Sequence, residues 1–505
     1  MKYLTYLMHG FIFAFGSAII LYGSIFNIHI WIRPTDVIFP AIFSIVVYFL
    51  FLLAAYLLTR NIEVAGLIAS LFVLGFFYLW PLFLVIIITT FITLLSMRIL
   101  FKRAGFADTH LVLNAISVAV VGYYSFLFIT LNIGEPWVSL PVTIRPIDGL
   151  PDTIPPKATT PDIYYIILDG YGRADMLQTI HGFDNSKFVS ALEQRGFVVA
   201  SRSQSNYPRT VVSLSSSLNM QYLDTMSLAM GDSDLWWPVN DAVRNSEVRR
   251  VLQNWGYKTI FFATNLDFTD IQDGDFYETP FSVQLDLFSG LFLNQTNLRL
   301  LAEIDALGIG IPSYDTHRRI VLYDFERLPE IAAIEGPKYV FVHVVSPHPP
   351  YVFDHAGNPL EPPYPYTLSV EDHTGYIEQL QFINQAVLAT IDGILANSES
   401  SPIIIIQGDH GPGTLTNFDS LKDTCLYERY SILNAYHLPG VTKKSVPIDL
   451  SPVNSFRFIF NTYFKSNLEI LPNRQYFSTS SHFYEFTDVT SQSQEMCNSN
   501  SVRVP

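Results

Sequence analysis

The sequence predicts a bundle of about five transmembrane helices followed by an α/β domain with a mainly parallel central sheet. Three observations carry this expectation. Residues 1–132 are richly apolar with few charges, residues 136–161 hold seven prolines, and thereafter short apolar runs alternate with longer amphipathic stretches. A chain of 505 residues also exceeds one ordinary domain, because single hydrophobic cores stop growing at roughly 250–300 residues.

Crossing the ~30 Å hydrocarbon core takes about 20 apolar residues. Residues 6–26, 37–58 and 111–131 each meet that length, and 64–97 is long enough for two spans, with Trp80 and Pro81 as the break between them. Lys and Arg concentrate in cytoplasmic loops. With Lys2 inside, five spans put Arg60, Arg98, Lys102 and Arg103 inside as well, and leave Arg33, balanced by Asp36, outside. The count predicts a multi-pass protein of the cytoplasmic (inner) membrane, with everything past residue 132 on the outer side. A cleaved signal peptide is disfavoured, since further spans follow the first and no small-residue cleavage site stands out.

The prolines of 136–161 favour an extended, semi-rigid tether. The expected organisation is therefore a transmembrane domain over 1–135, a linker over 136–161, an α/β domain over 162–486 and a polar, Ser/Gln-rich, poorly ordered tail over 487–505. The formal charge of −15 arises in the C-terminal part and argues against nucleic acid as a partner, which needs clustered basic residues. Cys425 and Cys497 are the only cysteines and form no C-x-x-C pattern, so neither a zinc ribbon nor a disulfide scaffold is available. Whether the two pair with each other is left open.

Within the α/β part, 163–168, 259–263, 339–345, 403–406 and 430–433 read as buried strands, and 185–195, 243–255, 316–334 and 370–396 as amphipathic helices. Such alternation favours a parallel sheet, whose ligands bind beyond the carboxyl ends of the strands. Three strand ends carry chemistry there. The first strand runs into Asp169, Gly170, Tyr171, Gly172 and Arg173; the 339–345 strand contains His343 and runs into Ser346, Pro347 and His348; the 403–406 strand runs into Gln407, Gly408, Asp409, His410 and Gly411. Carboxylate and imidazole at buried strand ends are costly unless paired or metal-bound, and together they suit zinc, or manganese as a harder alternative. Taken singly, each also suits a helix cap. A fourth piece, residues 206–217, places Thr210 behind Pro208 and Arg209 at a helix start, where a hydroxyl is either an N-cap or, beside a metal, a nucleophile.

These four pieces in this order resemble the sulfatase-like branch of the alkaline phosphatase superfamily. More narrowly they are similar to its membrane-anchored phosphotransferases, the lipoteichoic acid synthases and the lipid A phosphoethanolamine transferases, and the resemblance covers nearly the whole chain. It implies an alkaline-phosphatase/sulfatase-like fold and one divalent metal bound by Asp169, Thr210, Asp409 and His410, with Thr210 as nucleophile. His343 and His348 match an H-x-x-x-x-H-x-P pattern on the substrate side, His343 equally suiting a plain strand position. Arg173 and Arg209 flank the site and suit either an anionic head group or the surface. The implied activity moves a phospho-substituent, such as phosphoglycerol or phosphoethanolamine, from a phospholipid donor to an envelope glycan or lipid acceptor.

The sequence also departs from that pattern. Sulfatases carry C-x-P-x-R or S-x-P-x-R, whereas Pro208 falls one position late after Ser205, which disfavours formylglycine chemistry and leaves Ser213 as a secondary nucleophile candidate. Pro412 and Gly413 stand where the family often has Glu, and His437 is not at the spacing of the transferases' further histidine and reads as a loop residue. A sulfatase-like hydrolase and a catalytically silent membrane scaffold are the competing classes. A transporter is disfavoured, because His9 alone is ionisable within the expected spans.

Overall fold

The computed structural model describes residues 2–24, 32, 34–78, 107–131, 147–151, 153–154, 160–233, 235–296, 308–310, 313–360 and 373–497. The chain divides into two units, one of residues 1–140 with 281–312 and one of residues 141–280 with 313–505.

The first unit contains the helices Lys2–Ser24, Ile38–Thr59, Ile62–Phe77 and Ala107–Leu131. Among the described residues, three helical segments, Tyr3–Ser24, Pro34–Thr59 and Asp108–Thr130, are long and apolar enough to cross a membrane, and Ile62–Phe77 is a shorter apolar helix. Their outward faces stay apolar: Phe39, Ile42, Val46, Phe49 and Leu53 of one helix are all exposed. A surface of that kind is unfavourable in water and suits lipid. Where the helices meet, Ala14, Ala18, Ala65 and Ala69 are fully buried, and a Cβ on Gly66 would fall 2.2 Å from the Tyr6 carbonyl oxygen. Small residues here let backbones approach closely, which supplies the packing that lipid cannot. The second span expected within 64–97, its turn at 79–81, the charges Arg98, Lys102 and Arg103, and most of the 136–161 linker lie outside the described residues.

His9, the ionisable residue of the expected spans, is buried between helices. Its Nε2 lies 2.7 Å from His110 Nδ1 and its Nδ1 2.7 Å from Ser70 Oγ, while His110 Nε2 lies 3.1 Å from the Glu63 carbonyl oxygen. His110 escaped notice because its helix begins at Ala107, ahead of the expected span. Polar groups inside an apolar bundle are tolerated when they satisfy one another. The helix Leu287–Asn294 also belongs to this unit, with Phe288 against Tyr22 and Phe292 against Phe77 at ring separations of 6.3 and 5.5 Å. Residues 281–312 thus group with the apolar helices although they lie within the expected α/β domain over 162–486.

The strands, in chain order, are β1 Ile163–Leu168, β2 Phe197–Val199, β3 Lys258–Phe262, β4 Phe276–Glu278, β5 Val283–Gln284, β6 Ile309–Gly310, β7 Lys338–Val344, β8 Ile403–Gln407, β9 Asn434–His437, β10 Tyr476–Phe477 and β11 Thr487–Asp488. Seven of them form one sheet in the order β2-β9-β8-β1-β7-β3-β4. All pairs are parallel except those of β9 with β8 and β2. β1 is buried at every residue and sits between β7 and β8. That explains its unbroken I-Y-Y-I-I-L run, since a strand buried on both faces has no polar side to alternate with. One face packs on the helices Tyr314–Ile331 and His373–Asn397 through Val321, Phe325, Leu380 and Val387. On the other, Tyr165 meets Phe456 at 5.1 Å.

Four local expectations are corrected. Residues 430–433 are not a strand: the helix Leu426–Tyr430 comes first, Ser431 and Ile432 make isolated bridges, and the strand begins at Asn434. His437 accordingly ends β9 instead of lying in a loop, with Nδ1 2.8 Å from the Pro402 carbonyl oxygen. The helix expected over 243–255 is two, Trp237–Arg244 and Glu247–Asn254, the second begun by extended Ser246 with the Glu247 N–H capped by Asn219 Oδ1. Finally, residues 487–497 of the tail are ordered by β11 pairing with β10 and by a Cys425–Cys497 disulfide. The long-range bridge supplies a constraint that the tail's polar composition could not reveal.

Candidate metal centre

β1, β7 and β8 end nearly level, because Ile167 stands opposite both His343 and Gln407. Asp169, the Ser346–His348 turn and the Asp409–His410 pair therefore leave the sheet at one edge. Backbone bonds fix them there: the Asp169 N–H donates to the Val344 carbonyl at 3.0 Å and the His348 N–H to the Asp169 carbonyl at 3.0 Å. Gly170 N–H donates to Asp409 Oδ1 at 3.0 Å, and Gly170 takes a φ of +73°, the left-handed turn that glycine adopts without strain. Asp409 is also held from behind, its carbonyl accepting from Ser205 Oγ and Ser213 Oγ, each at 2.7 Å. Ser213 is thereby engaged as a positioning hydroxyl.

Asp169, Asp409 and His410 bring one ligand atom each within 4.8 Å of one another, all buried. His410 Nδ1 lies 2.9 Å from the Gly411 carbonyl oxygen, which makes Nδ1 the protonated nitrogen and turns the Nε2 lone pair inward. That Nε2 is 2.9 Å from Thr210 Oγ1, 3.2 Å from Asp409 Oδ2 and 3.6 Å from Asp169 Oδ1. Thr210 opens the helix Thr210–Asn219 behind extended Arg209. Asp169 Oδ1 and Asp409 Oδ2 are buried with no hydrogen-bond partner. Two unpartnered carboxylate oxygens, a neutral imidazole nitrogen and a hydroxyl converging on one point form a hard-to-borderline donor set that fits a divalent cation.

The electrostatics of the protein alone point the same way. Burial raises the Asp409 carboxyl and neighbouring Asp169 pushes it further up. Burial would raise Asp169 too, but His348, His343 and His410 hold it below the usual carboxylate range. Burial, then Arg429, keeps His410 well below the ordinary imidazole range and so neutral, the form that ligates metal. A bound cation would relieve the repulsion between the carboxylates.

His343, buried in β7, directs Nε2 to 3.3 Å from Asp169 Oδ2 while Nδ1 lies 3.0 Å from Thr269 Oγ1. His348 sits beside the centre, its ring centroid 6.3 Å from that of His410, with Nδ1 2.6 Å from the Pro349 carbonyl oxygen. It lines a small cavity with Gly170, Tyr351, Tyr376, Pro412 and Arg429. The two flanking arginines are engaged elsewhere. Arg173 grips Asp175 through Nε and Nη2 at 2.6 and 2.9 Å and donates from Nη1 to the Ser203 carbonyl at 2.8 Å. Arg209 stacks 3.8 Å over Phe418, near Trp236 and Phe483, and burial lowers it to about 9.

Two residues beside the site were missed from the sequence. Arg429 is buried, donates to the Pro208 and Gly411 carbonyls at 2.6 and 3.0 Å, and feels the charges of Asp409 and Asp169. It stands beside Glu428 in the short L-Y-E-R-Y stretch, where the local sequence gives little hint of what the charge faces. His317, buried in the helix Tyr314–Ile331, bonds to the Val345 backbone, feels His348 and Asp169, and leaves Nε2 without a partner. Nothing marked it in its amphipathic stretch.

Gly411 is tied to this packing. A Cβ there would meet the Glu428 carbonyl oxygen at 2.0 Å, so Gly411→Ala is expected to shift backbone and cost about 1–3 kcal/mol in urea unfolding, with weakened metal retention. Unchanged unfolding and metal content would remove this constraint.

The sulfatase family model matches residues 161–440. None of the curated proteins matches the chain. Among solved structures, the chain is similar to the C-terminal periplasmic domain of EptC from Escherichia coli in complex with Zn, at 12% identity, covering 69% of this chain and 99% of that one with a TM-score of 0.44. It is also similar to the integral membrane lipooligosaccharide phosphoethanolamine transferase A of Neisseria meningitidis, at 13% identity, covering 84% of this chain and 73% of that one with a TM-score of 0.38. A third is the C-terminal periplasmic domain of the phosphoethanolamine transferase EptC from Campylobacter jejuni, at 12% identity, covering 62% and 92% with a TM-score of 0.37.

Proposed function

The chain belongs to the sulfatase family, and on that premise we propose that it is a metal-dependent phosphotransferase of the cytoplasmic membrane. It takes a phospho-substituent, such as phosphoglycerol or phosphoethanolamine, from a phospholipid and passes it to an envelope glycan or lipid on the outer side. The observation that carries this is Thr210 Oγ1 2.9 Å from His410 Nε2, beside the unpartnered oxygens of Asp169 and Asp409. That geometry supports a hydroxyl nucleophile on threonine. Ser205, the residue nearest to a sulfatase signature, is occupied with the Asp409 and Tyr207 carbonyls. The disulfide and the apolar helices support a membrane protein whose catalytic unit faces an oxidising compartment.

Asp169, Asp409, His410 and Thr210 would hold the metal, with zinc or manganese suited to this donor set. When bound it would lower the pKa of the Thr210 hydroxyl and neutralise the nonbridging oxygens of the substrate. In the first step Thr210 Oγ1, its proton already lost to solvent, attacks phosphorus as the alkoxide, the bond to the diacylglycerol oxygen breaks, and protonated His348 gives that oxygen its Nε2 proton. In the second, an acceptor hydroxyl gives its proton back to His348 and attacks the phosphothreonine, the bond from phosphorus to Oγ1 breaks, and Thr210 leaves as the alkoxide. His348→Gln is expected to lower kcat by about 100- to 10,000-fold with metal content unchanged; a loss under tenfold would remove this proton-transfer role.

The test uses the full chain in bilayers with phosphatidylethanolamine or phosphatidylglycerol labelled in the head group. The expected result is diacylglycerol and covalently labelled protein, the label then chased onto a glycan or lipid. Label released only as free head group would make the protein a hydrolase. Neither diacylglycerol nor labelled protein from any phospholipid would overturn the reading.

A further inference from the structure

A second cavity, of about 370 Å³, opens near the metal centre, within the range of small-ligand sites. Its walls share two chain segments with that centre. Arg173 lies four residues beyond Asp169, so chain reach alone keeps their Cα atoms within roughly 14 Å. Gln204 precedes Ser205, whose Oγ holds the Asp409 carbonyl.

The lining chemistry is specific in kind. Its charged groups balance, Arg173 and Arg202 against Asp175 and Asp449. A site for phosphate, sulfate or a cation would carry an excess of one sign. The remaining lining is amide and hydroxyl with one aromatic ring, Tyr427. Gln475 is only 1% exposed, yet its Oε1 has no hydrogen-bond partner. Gln204 is 9% exposed and is fixed in the lining by donating from Nε2 to the Ser493 carbonyl at 2.9 Å. Leaving a buried amide oxygen unmatched costs about 1–3 kcal/mol, a deficit that a hydroxyl donor from a ligand would make good. Directional donors and acceptors without net charge, beside one aromatic ring, suit a neutral polyhydroxylated molecule.

We propose that this cavity is a saccharide-binding subsite. Its role in presenting an acceptor rests on the transferase reading above; its ability to bind sugar does not. The Cys425–Cys497 bridge completes it, because Tyr427 lies two residues past Cys425 and Gln494 three before Cys497. The bridge ties Gln494 and Tyr427 into one lining, giving the ordered 487–497 segment a binding role.

The test is saturation-transfer NMR on the full chain in nanodiscs free of glycoside detergent, with maltose, lactose and chitobiose as probes and inorganic phosphate as the anionic comparison. At least one disaccharide is expected to bind. The Arg202→Ala/Gln494→Ala double variant, altering two exposed side chains, and Cys497→Ser are each expected to weaken it about tenfold, at equal metal content. Absence of disaccharide binding, equal binding across the variants, or displacement of the sugar by phosphate would overturn the proposal. Thr210→Ala should bind sugar like the parent. Sugar binding without protein labelling would therefore sink the transferase reading alone, and labelling without sugar binding would sink the subsite alone.

Discussion

Thr210→Ala is expected to abolish covalent labelling and to lower turnover by at least about 10,000-fold, roughly 5 kcal/mol of lost transition-state stabilisation. The substitution removes the one hydroxyl among the described residues that bonds to His410 Nε2, and the helix has no equivalent to offer. Ser213, one turn on, commits its Oγ to the Asp409 carbonyl. Stability should change by under about 1 kcal/mol, since Arg209, not Thr210, is the cap residue and alanine is a good helix former. Thr210→Ser should keep measurable activity. Turnover of Thr210→Ala within tenfold of the parent, measured as kcat/KM on a labelled phospholipid, would mean that another group is the nucleophile.

Asp409→Asn is expected to reduce bound metal from one per chain to under about a tenth, read by elemental analysis, and to abolish turnover with it. The amide oxygen can still accept from Gly170 N–H, so the turn should survive while the ligand charge is lost. Stability supplies a second, activity-free readout. In the metal-free protein two buried carboxylates repel, so removing one charge should leave the metal-free thermal midpoint equal to or above the parent's. Added metal should stabilise the parent by mass action, by about 4 kcal/mol at a thousandfold excess over Kd, and leave the variant unmoved. A variant that still holds metal and melts later on its addition would show that Asp409 is not a ligand.

Much of this centre was readable in advance because local rules and the global fold agree there. A fully buried parallel strand reads as an unbroken apolar run, and a carboxylate or imidazole at its end stands out against it. Thr210 was legible for a similar reason, since Pro208 and the following serines announce a helix start. The misreadings share a different cause. Tyr430 closes a short helix, and the strand begins only at Asn434, because the chain there packs around Arg429 and the loop behind His410 instead of following its own apolar pattern. His110 and His9 satisfy each other across 101 positions, which no local window spans.

The sequence by itself determined the apolar helical half, the mainly parallel α/β half, and the carboxylate, imidazole and hydroxyl residues at the strand ends. These are properties of periodicity and of costly residues in costly positions, both written locally. Only the tertiary structure decided which of those side chains converge. It brought His343 onto Asp169, committed Arg173 to Asp175 and buried Arg209 among aromatic rings. It also joined Cys425 to Cys497 and built a polar cavity from six separate stretches of chain. Those outcomes depend on pairings between distant residues, and their energies exist only once the sheet has set its strand order and register.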